Sequence, residues 1–316
     1  MPRLKTSFAV ILSIVLLTVA GCASGGQQSA GGKVKVVTSF YPLYDFATQI
    51  GGEHAHVVNL VPAGVEPHEW QPKSRDTQRM VNADLFIYNG AGFEGWVRDF
   101  LDSLKPGEKP VIVEASDGIE LIRGESATGH HSDEEDGHEG HGTEYDPHVW
   151  LSPLQAIRMA ENVKDGFVRA DPDHKADYEA NFRTLSDRLQ ALHQKYEQSL
   201  AGARGKEIVV SHQSFGYLCR DYGLKQIAIM GLSPDSEPTA QDLKRVRQLV
   251  RERGIKVIFF EKLLSGKLVK TIAEDAGAET LVLDPLEGLT PEEEKAGADY
   301  VSIMESNLQN LLKALQ

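Results

Sequence analysis

From residue 34 onward the apolar positions fall in short, dense runs separated by longer stretches with helical spacing. Val34-Lys35-Val36-Val37-Thr38, Val57 to Val61, Leu85-Phe86-Ile87-Tyr88 and Val111-Ile112-Val113 each predict a strand. Helices are expected between them, over Ser74 to Ala83 and Trp96 to Leu104. Short apolar strands alternating with helices indicate a parallel sheet covered on both faces. A second series begins at Glu207, with strands at Ile208-Val209-Val210, Ile227-Ala228-Ile229, Val257 to Phe260 and Leu281-Val282-Leu283. Helices at Ala240 to Arg253 and Lys267 to Ala276 connect them. The chain therefore reads as an α/β protein of two lobes, with no internal sequence repeat between them.

The longest periodic segment lies between the two series. Asp171-Pro172 supplies an N-cap and a proline at the first helical position. Tyr178, Phe182, Leu185, Leu189, Leu192 and Tyr196 then recur at alternating steps of four and three, a single apolar stripe running to about Leu200. Some ~30 residues at 1.5 Å each span about 45 Å, enough to bridge both lobes as a stiff strut. Its place between two globular halves favours a strut over a coiled-coil partner surface. The expected organisation is residues 34–170 as the first lobe, 171–202 as the linking helix and 203–316 as the second lobe.

The amino-terminal end speaks of compartment. Arg3 and Lys5 precede an apolar run from Phe8 to Val19 that is short for a membrane span and reads as a secretory signal over residues 1–21. Val19-Ala20-Gly21-Cys22 resembles a lipobox, in which cleavage exposes the cysteine for lipidation. Residues 22–33 would then be a lipidated Cys22 and a tether rich in Gly, Ser, Gln and Ala. Only Cys22 and Cys219 are present, so lipidation of the first leaves no intrachain disulfide, and Cys219 reads as a buried apolar thiol. The net charge is −13, and −15 once the signal carrying Arg3 and Lys5 is removed. That sign argues against nucleic acid as a partner.

Candidate chemistry lies in three histidines, each in a proline-punctuated or strand-end context. His68 sits in Pro67-His68-Glu69-Trp70, where prolines on both sides fix a loop after a strand and Trp70 reads as a packing wall. His148 sits in Asp146-Pro147-His148-Val149-Trp150, with Asp146 placed to orient the imidazole and a helix expected from Ser152-Pro153. His212 follows the first strand of the second lobe directly. A fourth position must come from Leu283-Asp284-Pro285-Leu286-Glu287-Gly288, where Asp284 and Glu287 both qualify and spacing does not choose between them. Three imidazoles and a carboxylate fill a tetrahedral shell, and such a nitrogen-rich set favours zinc over oxygen-seeking manganese. Three histidines with an open position could equally serve a zinc hydrolase, for which Glu69 is the available base. The low-complexity segment Gly124 to Glu144 carries His130, His131, His138 and His141 among acidic residues, and reads as a mobile, weak metal trap that cannot join a core. His54, His56, His174 and His193 read as structural or surface residues, the last two on a solvated face.

Several of these segments occur together and in order: Ser39-Phe40-Tyr41-Pro42-Leu43, Glu66-Pro67-His68-Glu69, Tyr88-Asn89-Gly90-Ala91-Gly92, Asp146-Pro147-His148-Val149-Trp150-Leu151, Ser211-His212-Gln213-Ser214-Phe215-Gly216-Tyr217 and Leu283-Asp284-Pro285-Leu286. From about Val34 to its end the chain resembles the zinc-type solute-binding lipoproteins of metal ABC transporters, the cluster A-I metal-binding family. The resemblance implies two α/β lobes joined by a rigid helix, with the metal between them. It carries ligand roles onto His68, His148, His212 and, from the Gram-positive branch, Glu287; other members leave that last position to water or an aspartate. Manganese-type members put a carboxylate where His212 stands. The implied protein is not an enzyme. It is a monomer, held by lipid on Cys22 at the bacterial membrane and facing outside or the periplasm. It captures Zn²⁺ and hands it to the permease of a zinc importer. The resemblance likens the His-rich tract to a loop that zinc-type members insert before their second ligand histidine. A manganese carrier and an adhesin of the same family are the alternative roles.

Overall fold

Two four-stranded parallel sheets carry the site, one in each half of the chain. The structure, a computed structural model, describes residues 32–105, 107, 110–124, 145–234 and 239–316. In the first sheet β1 (Val34–Thr38), β2 (Ala55–Asn59), β3 (Leu85–Tyr88) and β4 (Val111–Glu114) lie in the order β2-β1-β3-β4. Helices α1 (Tyr41–Gly51), α2 (Ser74–Val81) and α3 (Val97–Ser103) connect them, and α4 (Pro153–Ala170) follows. The long helix α5 (Lys175–Leu200) then leads to β5 (Glu207–Val210), α6 (Gly216–Tyr222), β6 (Lys225–Ala228), α7 (Ala240–Glu252) and β7 (Val257–Phe260). The chain ends with α8 (Lys267–Ala276), β8 (Glu279–Val282), α9 (Pro291–Ala296) and α10 (Tyr300–Ala314), and the second sheet has the order β6-β5-β7-β8. No helix among the described residues is long and apolar enough to cross a membrane.

The pattern of short apolar strands placed the elements, with local departures. Strand β2 pairs from Ala55 opposite Val34, two residues earlier than the apolar run suggests. Its exit is set by Asn59, whose side-chain amide donates to the Val61 carbonyl at 2.8 Å, and by Pro62, which has no N–H to offer a ladder. Asp171 does not cap the long helix. Its carboxylate instead accepts the Tyr178 hydroxyl at 2.6 Å and faces the His174 ring at 2.7 Å. Pro172–His174 consequently forms a 3₁₀ turn, and the α-helix begins at Lys175.

Helix α5 runs 26 residues, about 39 Å. Of its stripe, Tyr178, Leu185, Leu189, Leu192 and Tyr196 are buried, while Phe182 is half-buried. It packs on α1 and α4 of the first half and on α6 and α10 of the second. The Tyr196 hydroxyl donates to the Met304 carbonyl of α10 at 2.7 Å, and Arg188 bonds both Gln49 of α1 and Asp299 before α10. The inner faces of both sheets share one apolar core that runs from Val36, Phe46 and Trp150 through Leu189 to Val210 and Tyr300. Only the outer faces have separate clusters, around Met80 and Phe86 in one lobe and Val250 and Ile258 in the other. Two sheets thus sit on one core within the compact unit Lys33–Gln316.

Because Leu189 is fully enclosed in that shared core, Leu189→Ala should cost about 2–5 kcal/mol of unfolding free energy. Urea denaturation followed by circular dichroism measures it, and a loss below about 1 kcal/mol would contradict the central role of the helix.

Candidate metal centre

Four loops bring their side chains to one point between the sheets. His68 lies on the loop between β2 and α2, its backbone N–H bonded to the Glu66 carboxylate at 3.1 Å. Its ring edges against Phe93, with centroids 4.9 Å apart. The same loop crosses to the second half, where the Gly64 N–H donates to the Leu289 carbonyl at 2.7 Å. Trp70 is half-buried beside Trp96, a wall as its sequence context indicates.

His148 follows Pro147, whose carbonyl accepts the side-chain amide of Asn89 at 2.9 Å. Asn89 belongs to a turn closed by Glu94, which accepts the Ser39 hydroxyl and the N–H groups of Asn89 and Gly90. Burial pushes the Glu94 carboxyl up to about 7, while those hydrogen bonds pull the other way. Asp146 accepts both the backbone N–H and the Nδ1–H of His148, at 2.9 and 2.8 Å, the orienting role expected of it.

His212 leaves the carboxyl end of β5, and its Nδ1–H is held by Glu261 at 2.8 Å. Glu261 was not among the candidate residues. Its signal is a charged side chain directly after the apolar strand Val257–Phe260, at the sheet end where sites of parallel folds gather. Glu287 follows Leu286, which adopts φ 55°, a left-handed conformation costing an L-residue roughly 1–2 kcal/mol. The Leu286 N–H donates to Asp284 Oδ1 at 2.8 Å, which secures that turn. Asp284 itself pairs with Lys262 at 3.1 Å and stands outside the cluster.

The geometry is compact. Glu287 Oε1 lies 3.2 Å from His68 Nε2, 3.3 Å from His148 Nε2 and 3.2 Å from His212 Nε2. His148 Nε2 is 3.3 Å from His68 Nε2 and 3.2 Å from His212 Nε2. A tetrahedron of ligand atoms about 2.0–2.1 Å from a central zinc has edges of about 3.3–3.4 Å. Five edges of this cluster match that figure, and all four atoms lie within 4.8 Å of one another. His148 and His212 are fully buried, Glu287 nearly so, and His68 only slightly less.

Electrostatics follow from the partners. With Nδ1–H directed at a carboxylate, His148 and His212 can each offer the Nε2 lone pair to a central ion once Nε2 gives up any proton it carries. Burial alone would lower both imidazoles. The bonds of His148 to Asp146 and Glu287 outweigh it and raise that ring, and the charges of Glu261 and Glu287 hold His212 well above its ordinary value. His68 has no comparable support, so burial leaves it lowered despite Glu287. Burial would raise Glu287, but His212 and His68 hold it well below the usual carboxylate range. Such a set of lone pairs in a dry place can hold a divalent borderline metal.

The remaining histidines lie elsewhere. His54 stacks on His174 at 4.0 Å and pairs with Asp177, whereas His56 is exposed. His193 is half-buried and bonds the Tyr222 hydroxyl at 3.0 Å, so it is not on the open, solvated face expected of it. Glu69 is exposed and outside the cluster. Cys22, His130, His131, His138 and His141 lie outside the described residues. Since Glu261 orients His212, Glu261→Ala should lower the affinity of the cluster for a transition-metal ion about 10–100-fold, read by competition with a chelating dye.

The profile of the family described as zinc-uptake complex component A, periplasmic (ZnuA) matches residues 36–314. The chain is 41% identical over 308 residues to the zinc-binding lipoprotein AdcA of Streptococcus pneumoniae serotype 4, an alignment covering 98% of this chain and 60% of that protein. It thus spans about 60% of the length of that relative. It is 40% identical over 315 residues to the high-affinity zinc uptake system protein ZnuA of Bacillus subtilis strain 168, with 98% of each covered. The solved Zn(II)-bound ZnuA-like domain of S. pneumoniae AdcA superposes with a TM-score of 0.77 at 39% identity, covering 90% of this chain and 99% of that one. The chain belongs to the zinc-uptake complex component A family.

Proposed function

We propose that this protein binds one Zn²⁺ outside the cytoplasm through His68, His148, His212 and Glu287, and delivers it to the membrane permease of a zinc ABC importer. The observation that carries this reading is the set of five ligand-to-ligand distances at the edge length of a zinc tetrahedron. Three nitrogens and one oxygen suit a borderline ion in fourfold coordination, whereas manganese seeks more oxygen ligands. Glu287 fills the position that a hydrolytic zinc would leave to water, and the exposed Glu69 offers no base there. No bond is made or broken in the role proposed. Lipid on Cys22 would keep the carrier at the membrane, and the His-rich tract from Gly129 to His141 would gather further ions weakly.

Isothermal titration of the mature protein should show one tight Zn²⁺ per chain. Additional weak ions should disappear when Gly129 to His141 is deleted. His68→Ala should weaken the tight site by at least about 100-fold, and unchanged binding would remove His68 from it.

The zinc site should also compete with protons. His212 is held well above 6.5, so the metal-free protein keeps a proton there at neutral pH that zinc must displace. Affinity should therefore fall as pH falls, by about tenfold per unit for each displaced proton. Titrations in buffers of different ionisation enthalpy count those protons, and an affinity independent of pH between about 5.5 and 7.5 would contradict the assignment.

A further inference from the structure

The first sheet is incompletely covered on the side of α2. Lys35 and Val37 of β1 lie opposite His56 and Val58 of β2, so by the two-residue period all four face the same way. Met80 of α2 covers Val37 and Phe86, but β2 is the edge strand. Between α2 and that edge lies a groove of about 310 Å³ with Val37 and Val58 in its floor. Its rim carries Lys35, His56, Arg75 and Arg79. Arg79 pairs with Asp76 at 3.2 Å, and at the same end the Asp84 carboxylate accepts the Lys35 backbone N–H. The side chains of Lys35, His56 and Arg75 have no hydrogen bond or ion pair among the described residues. A basic rim over an apolar floor stands out on a chain whose net charge is −13.

We propose that this groove seats anionic lipid headgroups of the membrane to which the protein is tethered. The inference rests on the lipid-anchor reading of Cys22. Three arguments select this occupant. Phosphate headgroups complement the cationic rim, and each Lys or Arg beside an anionic bilayer strengthens binding about fivefold. The chain enters β1 at Val34, one residue before Lys35. With lipid on Cys22, only residues 23–33 would separate the anchor from Val34, which keeps the groove close to the bilayer and lets a weak contact operate. The chain's net charge of −13 is repelled by the same bilayer, so a cationic rim over an apolar floor is the kind of surface that can approach it.

Seating has a direction. Lys35 and His56 stand near the amino ends of their strands, whereas the loop carrying His68 leaves the carboxyl end of β2, about 13 Å away. A lobe resting on its groove turns its half of the metal centre toward the medium from which the ion is captured. Delivery to a permease then requires lifting off, which a contact this weak permits.

The test uses Lys33–Gln316, a compact unit by itself and the part that the solved, zinc-bound relative matches. Its sedimentation with vesicles containing about one-third phosphatidylglycerol is compared with that on pure phosphatidylcholine. Anionic vesicles should retain it at least about tenfold better at low salt, and high salt should abolish the difference. The double substitution Lys35→Gln/Arg75→Gln should reduce the retention about 25-fold while leaving zinc stoichiometry unchanged. Equal partition on both vesicles, or retention untouched by the double substitution, would overturn the proposal. Self-association lost in the same variant would instead make the groove a contact between copies, and would overturn it too. The anchor is read independently from the mass of the mature amino terminus, where a Cys22 without diacylglycerol defeats that reading whatever the vesicles show.

Discussion

Three imidazole nitrogens and one carboxylate oxygen, packed at 3.2–3.3 Å in a place water does not reach, are the constraint on which the rest of the structure depends. Lone pairs brought this close repel unless a proton or a cation sits among them, and low local dielectric sharpens the repulsion. The protein holds them by tying down the far side of two rings. Asp146 and Glu261 each take an Nδ1–H, so His148 and His212 cannot turn away or change tautomer without breaking a buried, charge-assisted bond. Asn89 and Glu94 extend this support a step further, since they fix the Pro147 carbonyl just before His148.

Four donor atoms from two sheets can meet only if the sheets keep their distance. The long helix contributes, but the shared core matters more, because it leaves no solvent layer between the halves on which to hinge. Crossing bonds reinforce it: Trp150 donates to the Pro285 carbonyl, Tyr300 donates to the Trp150 carbonyl, and Tyr41 donates to the Ala298 carbonyl. Each such buried bond contributes about 1 kcal/mol, and opening the halves widely would sacrifice several together with apolar burial. Local adjustment therefore falls to the loops. Of the three rings brought together, only that of His68, on the loop between β2 and α2, keeps a trace of exposure.

Much of this was legible in the sequence because it rests on local pattern. Short apolar runs marked all eight strands, five of them to within a residue, while β2, β6 and β8 begin two residues before their runs, and the stripe from Tyr178 to Tyr196 marked the long helix. Proline-flanked histidines marked rigid presentation, and Asp146 declared itself by lying two residues from His148. What local pattern cannot carry is pairing across the fold. Asp171 looks like a cap until Tyr178 and His174 compete for its carboxylate. Glu261 lies 49 residues from the ring it orients, and the single core joining both halves has no signature in either half alone.

The choice between Asp284 and Glu287 shows the same limit most sharply. Three residues apart on one loop, both are buried carboxyl groups of equal chemical fitness as ligands. Their surroundings separate them. Burial raises Asp284 although Lys262 pulls it down, and its backbone is clasped by Asn307, whose amide accepts the Asp284 N–H and donates to its carbonyl. Its Oδ1 is committed to holding Leu286 in a left-handed turn. Glu287 comes next after that turn and meets three imidazoles that hold it far below the ordinary carboxylate range. One acid shapes the loop and the other faces the centre. The division follows from where the second sheet places Lys262 and Asn307, which no spacing along the chain records.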